Sequence, residues 1–203
     1  MKTTIGTFTC EKDIKKSTFH SFLVPIREFD ALHTSLKEKH PKANHIIWAK
    51  RYLNLYDQIV ENSSDDGEPK GTSGPPVLNV MRGNELIECG ILIVRYFGGI
   101  KLGTGGLVRA YGGGAKEVIS SAILLDYVKK EIFAFSTIYS LVPRFEHFLA
   151  KQNLHVESRE YGSRSVVWSM SLSLKERTLL LEFACVYERD GFAIVPPIDP
   201  FDS

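Results

Sequence analysis

The chain has 203 residues, of which 43% are hydrophobic and 11% aromatic, so it can bury one large or two small cores. A net charge of +1 excludes a globally basic nucleic-acid-binding protein but allows a local basic patch. Three scattered cysteines, in no CxxC or Cys/His metal spacing, predict reduced thiols (Cys10, Cys89, Cys185). The polar start and the lack of any run of about 18 apolar residues predict a soluble cytoplasmic protein without a membrane partner.

Hydrophobic periodicity and turn residues predict strands and helices throughout residues 1–128. The predicted elements are, in chain order, two strands joined by a polar turn (6–26), a helix ended by Pro41 (27–41), a strand (44–56), a polar loop (61–76), a helix stopped by Gly83 (75–85), a strand (88–97) and a glycine-rich helix (104–122). The strand at 88–97 is continuously apolar, which places it at the centre of a sheet.

The glycine-rich helix keeps one apolar face, although glycine is a poor helix former. Thr104 is predicted to cap its start. Arg109, Gly113 and Lys116 fall on the opposite side of the helix. The apolar residues that recur at helical spacing are Leu107, Tyr111, Ala115, Val118 and Ala122.

Residues 129–203 are predicted to form a second domain with the element order β-α-β-β-α-β. Its predicted elements are a strand (131–142), a helix (143–153), a hairpin (156–174), a helix (175–191) and a short final strand (192–198). This order is the split βαβ pattern of ferredoxin-like domains. The expected fold class is therefore α+β with two domains.

The glycine-rich region is locally positive. Residues 70–116 contain only Glu85 and Glu88 as acidic residues. The six basic residues of the same range are Lys70, Arg82, Arg95, Lys101, Arg109 and Lys116. An anionic partner is therefore expected to bind in this region.

An acidic loop (residues 65–74) contains three carboxylates, Asp65, Asp66 and Glu68, within four residues. Such a group could hold a hard cation or supply a general acid and base. The alternative is a structured turn, in which the Asp side chains accept from nearby N–H groups and Gly67 adopts a positive φ. The spacing is not that of an EF-hand, and no GxSxG frame surrounds the GTSG tetrapeptide.

The segment from Arg95 to Val118 contains eight of the chain's 16 glycines. Free N–H groups at a helix start, flexible glycines and the charges of Lys101 and Arg109 are what an anion-binding helix N-terminus needs. The segment lacks GxxxxGK[ST], and GTGGLV is not GxGxxG, so it matches no known phosphate loop. Close packing of the helix against a neighbouring element is the alternative interpretation.

Four sequence blocks resemble the IMPACT/YigZ family: KKSTF, NHIIWA, SDDGEPKGTSGPPVL and VRYFGGIKLGTGGLVRAYGGG. The last two are long, ungapped and specific, and the resemblance covers the whole chain. It implies that residues 1–128 form an IMPACT N-terminal domain, similar to the second domain of a small-subunit ribosomal protein in the GHMP-kinase-like superfamily. It also implies that residues 129–203 resemble the ferredoxin-like last domain of elongation factor G.

Eukaryotic members of this family restrain a translation-control kinase by competing for its activator on the ribosome. The resemblance therefore implies a non-enzymatic regulatory protein that binds RNA, the ribosome or a translation-associated protein, with no cofactor, no resident metal and no catalytic residue. The alternative is an enzyme for a phosphorylated small molecule or nucleotide, with a divalent metal held by the acidic loop. Many relatives read His-x-Cys where this chain has His45-Ile46-Ile47, so a cysteine nucleophile is excluded there.

The expected ligand or partner surface combines the acidic loop with the glycine-rich segment. Its residues are Asp65, Asp66, Gly67, Glu68, Lys70, Gly71, Thr72, Arg95, Gly98, Gly99, Lys101, Gly103, Thr104, Gly105, Gly106 and Arg109. If both segments line one cleft, a binding site is favoured; a dry packed contact favours a structural role.

Overall fold

The computed structural model describes residues 1–196, so Pro197 and Ile198 of the predicted final strand, and the end of the second predicted domain, lie outside the described residues. The chain divides into two compact units, Met1–Tyr127 and a second that begins at Val128. Mixed α/β structure, with three sheets and five α-helices, makes up the described range. No helix in this range is long and apolar enough to cross a bilayer.

The first unit is built on one five-stranded antiparallel sheet, with strand order β2-β3-β6-β4-β5. Two short strands, β1 and β7, pair with each other near the ends of the unit. The elements are, in chain order, β1 (Lys2–Thr3), β2 (Phe8–Ile14), β3 (Ser17–Pro25), α1 (Ile26–Lys39), β4 (His45–Leu53), β5 (Ile59–Ser64), α2 (Gly74–Gly83), β6 (Cys89–Tyr96), α3 (Thr104–Ser121) and β7 (Leu125–Asp126).

Strand β6 lies in the middle of this sheet, and its predicted central position is confirmed. Ile91 and Ile93 join the core that contains buried residues of α2 and α3. Leu92 and Val94 join a second core that contains buried residues of α1. The strand is continuously apolar because both of its faces are covered by helices.

Helix α3 buries its predicted apolar face, including Leu107 and Tyr111, against the sheet. The predicted role of Thr104 as its cap is wrong, because Gly103 is the N-cap residue and no side chain in residues 1–196 caps the helix. The chain enters the helix at Gly103 with φ of 73°, a conformation that glycine adopts without strain. Thr104 is consequently the first helical residue.

The predicted polar loop 61–76 begins too early, because residues up to Ser64 belong to strand β5. Within the described residues this strand pairs only with β4, and it forms the edge of the sheet. Glu61 faces Arg51 in the register, and its Oε1 accepts a hydrogen bond from Arg51 Nε at 2.8 Å. An edge strand needs one hydrogen-bonding neighbour and tolerates polar residues, so its sequence resembles a loop.

The second unit has the predicted order of strands and helices. Its four strands form an antiparallel sheet with strand order β11-β8-β10-β9. Trp168 is fully buried and stacks on Phe135, with ring centroids 5.7 Å apart. The elements are β8 (Glu131–Ile138), α4 (Val142–Lys151), β9 (Ser158–Tyr161), β10 (Ser165–Leu172), α5 (Leu174–Ala184) and β11 (Phe192–Val195).

Candidate functional site

Asp65 organises the acidic loop and the start of α2. Its carboxylate accepts hydrogen bonds from Gly71 N at 2.7 Å, Ser73 N at 3.0 Å, Ser73 Oγ at 2.6 Å and Gly74 N at 2.9 Å. Burial acts to raise the pKa of Asp65, but the hydrogen bonds from Ser73 and from the loop amides outweigh it and lower the pKa. Thr72 closes the turn by donating from its hydroxyl to Pro69 O at 2.6 Å.

Asp66 fastens the same loop to the start of β4. Its Oδ2 accepts from Ile46 N at 2.5 Å, and its carbonyl oxygen lies 2.7 Å from His45 Nδ1. Gly67 follows with φ of 83°, which reverses the chain as the turn interpretation requires. The backbone of the loop is therefore held from both sides.

Glu68 is 8% exposed and sits in a buried polar cluster. Its Oε1 accepts from Arg95 Nη1 at 2.5 Å and from the Tyr111 hydroxyl at 2.6 Å, and His45 Nε2 lies 3.8 Å away. Burial, and then the hydrogen bond to Glu68, raise the pKa of Tyr111 far above its ordinary value, so this hydroxyl remains a donor. Arg95 Nε is buried and has no hydrogen-bond partner in the described part of the chain.

The three carboxylates of the acidic loop do not converge on one point. Asp65 accepts from its own loop and α2, Asp66 from β4, and Glu68 from Arg95 and Tyr111. No group of three or more His, Cys, Asp or Glu side chains that could hold a metal occurs within residues 1–196. The metal-binding interpretation of the acidic loop therefore lacks its ligand set.

The acidic loop and the start of α3 do line one cleft, which we call the β6 cleft, with a volume of about 430 Å³. The acidic loop and the start of α3 meet there because Arg95 lies near the C-terminal end of the central strand β6, a few residues before α3 begins. Its lining consists of less exposed polar residues (His45, Glu68, Arg95), apolar residues (Pro69, Phe97, Leu102, Leu107) and exposed polar or glycine residues (Asn44, Lys101, Gly103, Thr104).

The N-terminus of α3 opens on this cleft through Gly103 and Thr104. The first turn has no acidic residue and no side-chain cap. The amides of Thr104, Gly105 and Gly106 have no acceptor within the described residues. The partial positive charge at the N-terminus of this 18-residue helix therefore faces the cleft, and no acidic side chain of its first turn neutralises it.

Arg109 lies outside the β6 cleft, in a second depression of about 370 Å³ between α2 and α3. We call it the α2–α3 groove. The predicted surface is thus divided, since Lys101 and Arg109 border different depressions. The residues of the α2–α3 groove are Pro76, Asn79, Val80, Val108, Arg109, Gly112, Gly113 and Lys116.

Two of the six basic residues in the range 70–116 are neutralised. Arg82 pairs with Glu61, and Arg95 pairs with Glu68. The other four are exposed and form no salt bridge with any residue that the structure describes: Lys70, Lys101, Arg109 and Lys116. The unpaired positive charge therefore lies around the start and the outer side of α3.

The glycines of the segment differ in what a Cβ atom would meet. At Gly98 it would overlap Lys16 O, and at Gly114 it would lie 2.7 Å from Ser21 Oγ. Among the described residues, it would meet no atom within 4 Å at Gly113, and only Val80 Cγ2, at 3.9 Å, at Gly112. Gly99 also has open space, but its φ of 83° requires glycine. Packing within the chain thus explains Gly98 and Gly114 but not Gly112 and Gly113.

Sequence reasoning missed the contributions of His45, Phe97 and Tyr111 to this region. In the sequence, Tyr111 is one of the apolar residues at helical spacing in α3. Only the structure shows that its hydroxyl donates a hydrogen bond to Glu68, 43 residues away. Phe97 directly follows β6, and only the structure shows that its side chain is 43% exposed and lines the cleft.

A model of the IMPACT N-terminal domain matches residues 15–119, which is more than half of the chain. The chain belongs to the IMPACT family. It is 33% identical to an IMPACT family member of Haemophilus influenzae over 172 residues, 83% of this chain and 82% of that one. It is 40% identical to the IMPACT family member YigZ of Escherichia coli over 116 residues, 55% of this chain and 56% of that one.

A solved structure supports the fold of this IMPACT chain over almost its full length. The crystal structure of a hypothetical protein aligns with a TM-score of 0.69 and 26% identity, covering 98% of this chain and 97% of the other. The predicted family membership is confirmed by these similarities.

Proposed function

We propose that this IMPACT family chain is a non-enzymatic binding and regulatory protein that contacts RNA of the translation machinery through the α2–α3 groove. The proposal adds a partner and a surface to the family membership. Fold and motif similarity to translation proteins is only an association, whereas the residues of the groove bear directly on what it can bind.

The observation that carries the proposal is the pair Gly112 and Gly113. Each glycine inside a helix lowers stability by about 1 kcal/mol relative to alanine. A Cβ at Gly113 would meet nothing within 4 Å, and one at Gly112 only a methyl group at ordinary contact distance. Because the chain's own packing does not require either glycine, we attribute both to the close approach of a partner backbone.

The charges at the two ends of the glycine pair support an anionic partner. Arg109 and Lys116 are exposed, border the groove and have no carboxylate partner within the described range. They are seven residues apart on one helix, which separates their Cα atoms by about 10 Å along the axis. Two cations with a small, flat surface between them suit a sugar-phosphate backbone.

The link to translation comes from the family resemblance. Family membership implies that the first unit is similar to a ribosomal-protein domain and the second to the last domain of elongation factor G, both of which belong to the translation machinery. These finer fold relationships are part of the proposal. A translation-associated protein is the alternative partner for the same surface.

The test is salt-dependent binding of a fluorescently labelled RNA hairpin and of purified ribosomes. The variant R109Q/K116Q removes both groove charges, and K37Q/K39Q removes two exposed charges from α1 as the matched control. We expect the slope of log affinity against log salt to fall by about 1.5 for the groove variant only. If neither RNA nor ribosomes bind, or if both variants behave alike, the proposal is wrong.

A further inference from the structure

The β6 cleft is a second site on the same unit, separate from the α2–α3 groove. We propose that it binds a phosphate-bearing ligand of about nucleotide size, with the phosphate at the start of α3 and a planar apolar body against Phe97. The proposal does not depend on RNA binding in the groove. It rests on the donors, the orphaned polar atom and the shape of the cleft.

The donors at one end of the cleft match a phosphate group. The amides of Thr104, Gly105 and Gly106 have no acceptor among the described residues, and Gly103 leaves them uncovered. Lys101 borders the same end and is exposed without a salt bridge in the described range. Several N–H donors, a helix dipole and one ammonium group together favour a doubly charged anion over a neutral ligand.

Arg95 provides an independent indication of a ligand. It is only 5% exposed, it lines the cleft, and its Nε has no acceptor in residues 1–196. A buried donor without an acceptor is unfavourable, so such a group in a folded protein calls for an explanation. A ligand that enters the cleft and turns the Arg95 side chain toward it supplies the missing acceptor.

The net charge of the groups that line the cleft also favours an anionic ligand. Glu68 already accepts from Arg95 Nη1 and from the Tyr111 hydroxyl, so its negative charge is compensated within the chain. The Arg95–Glu68 pair is neutral as a unit, so the positive charge of Lys101 and the partial positive charge of the helix N-terminus remain unbalanced. A cationic ligand would have to break the hydrogen bonds to Glu68.

The rest of the cleft is shaped for more than inorganic phosphate. Its volume of about 430 Å³ lies in the range typical of small-molecule sites. Phe97 is 43% exposed and borders the cleft together with Pro69 and Leu102. An exposed aromatic ring beside aliphatic side chains offers a stacking surface for a base or another flat group.

The experiment is calorimetric titration of the full chain with AMP, adenosine and inorganic phosphate, with amide NMR shifts to locate the site. We expect AMP to bind more tightly than either fragment, phosphate to compete with it, and the amides at 104–106 to shift most. K101Q and F97A should each weaken AMP binding about tenfold, whereas K37Q on α1 should not. Lys101 and Phe97 are exposed, and thermal melting of the variants checks that they fold.

Two sources of the phosphate group are distinguished in the same titrations. A short RNA with a 5′-phosphate that binds more tightly than AMP, while its 5′-hydroxyl form binds no better than adenosine, assigns the cleft to an RNA end. Tighter binding of AMP assigns it to a free nucleotide. The inference is overturned if neither AMP nor the phosphorylated RNA saturates a cleft signal below about 10 mM, or if K101Q and F97A bind AMP like the unmodified chain. The AMP titration contains no RNA, so its failure leaves the groove proposal untouched.

Discussion

Gly113 and Gly114 are neighbours in α3, yet replacement by alanine should stabilise the chain only at Gly113. A Cβ at Gly113 enters open space, since no atom lies within 4 Å. Gly113→Ala should therefore recover the helix propensity that glycine loses, raising the free energy of unfolding by about 1 kcal/mol. If a partner backbone lies against this position, the same methyl group should weaken RNA binding by at least about fivefold.

Gly114 faces the sheet, where a Cβ would lie 2.7 Å from Ser21 Oγ and 3.5 Å from Ile93 Cδ1. Ser21 is 1% exposed on β3, so its side chain has little room to move away. Forcing a methyl group into such a contact costs about 1–3 kcal/mol, which offsets or exceeds the gain in helix propensity of about 1 kcal/mol. Gly114→Ala should lower or at best preserve stability.

Urea unfolding followed by circular dichroism measures both effects, and fluorescence anisotropy with the RNA hairpin measures binding. Gly83→Ala is the matched control, because Gly83 also has open space but ends α2 outside the groove. It should leave RNA binding unchanged. A Gly113→Ala variant that is stabilised but binds RNA normally would refute the close-approach argument. A destabilised Gly113→Ala variant would refute the packing on which that argument depends.

Three further predictions concern the acidic loop and the thiols. Asp65→Asn should lower the free energy of unfolding by about 2 kcal/mol at neutral pH. Because the folded state lowers the pKa of Asp65, its stabilising contribution is complete above the ordinary carboxyl pKa and is lost as pH falls through the lower folded-state pKa. Urea unfolding measured at several pH values should therefore show a weaker loss of stability in acid for the variant. Glu68→Gln should lower the free energy of unfolding by about 3 kcal/mol or more, because it leaves the Arg95 charge buried without its counter-charge. A variant as stable as the unmodified chain would mean that the pair is not buried in solution. Iodoacetamide at pH 8 should modify exposed Cys185 in the folded chain but Cys89 only after unfolding, since burial raises the pKa of Cys89 to about 12; mass spectrometry identifies the modified thiols.

The sequence allowed the main elements to be predicted where one physical signal dominated. The continuous apolar run of β6 and the helical spacing of apolar residues in α3 both arise from burial, which leaves a periodic trace along the chain. Strand β5 left no such trace, because an edge strand is partly solvated and its pairing with β4 is a non-local property. The cap of α3 was missed because a glycine, and not the neighbouring threonine, sets the backbone turn.

The arrangement of the candidate site could be predicted only in part. The sequence predicted that the acidic loop and the glycine-rich segment form one surface, and Glu68 and Lys101 do line one cleft. It could not assign the partners of each carboxylate, since Glu68 pairs with Arg95 27 residues away and Asp65 caps a helix that starts nine residues later. Those pairings follow from the packing of loops on the sheet, and no local pattern encodes them.

The glycine-rich segment matches no single motif because it meets separate requirements on different sides of one helix. On the inner side, Gly114 lets α3 approach β3, and Tyr111 one turn earlier reaches Glu68 from the same face. At the start, Gly103 and its successors leave the helix amides uncovered toward the β6 cleft. On the outer side, close packing among residues 1–196 requires neither Gly112 nor Gly113. Substitution of the inner-face glycine should therefore lower the free energy of unfolding, whereas substitution of the outer-face glycines should weaken only the binding of the partner.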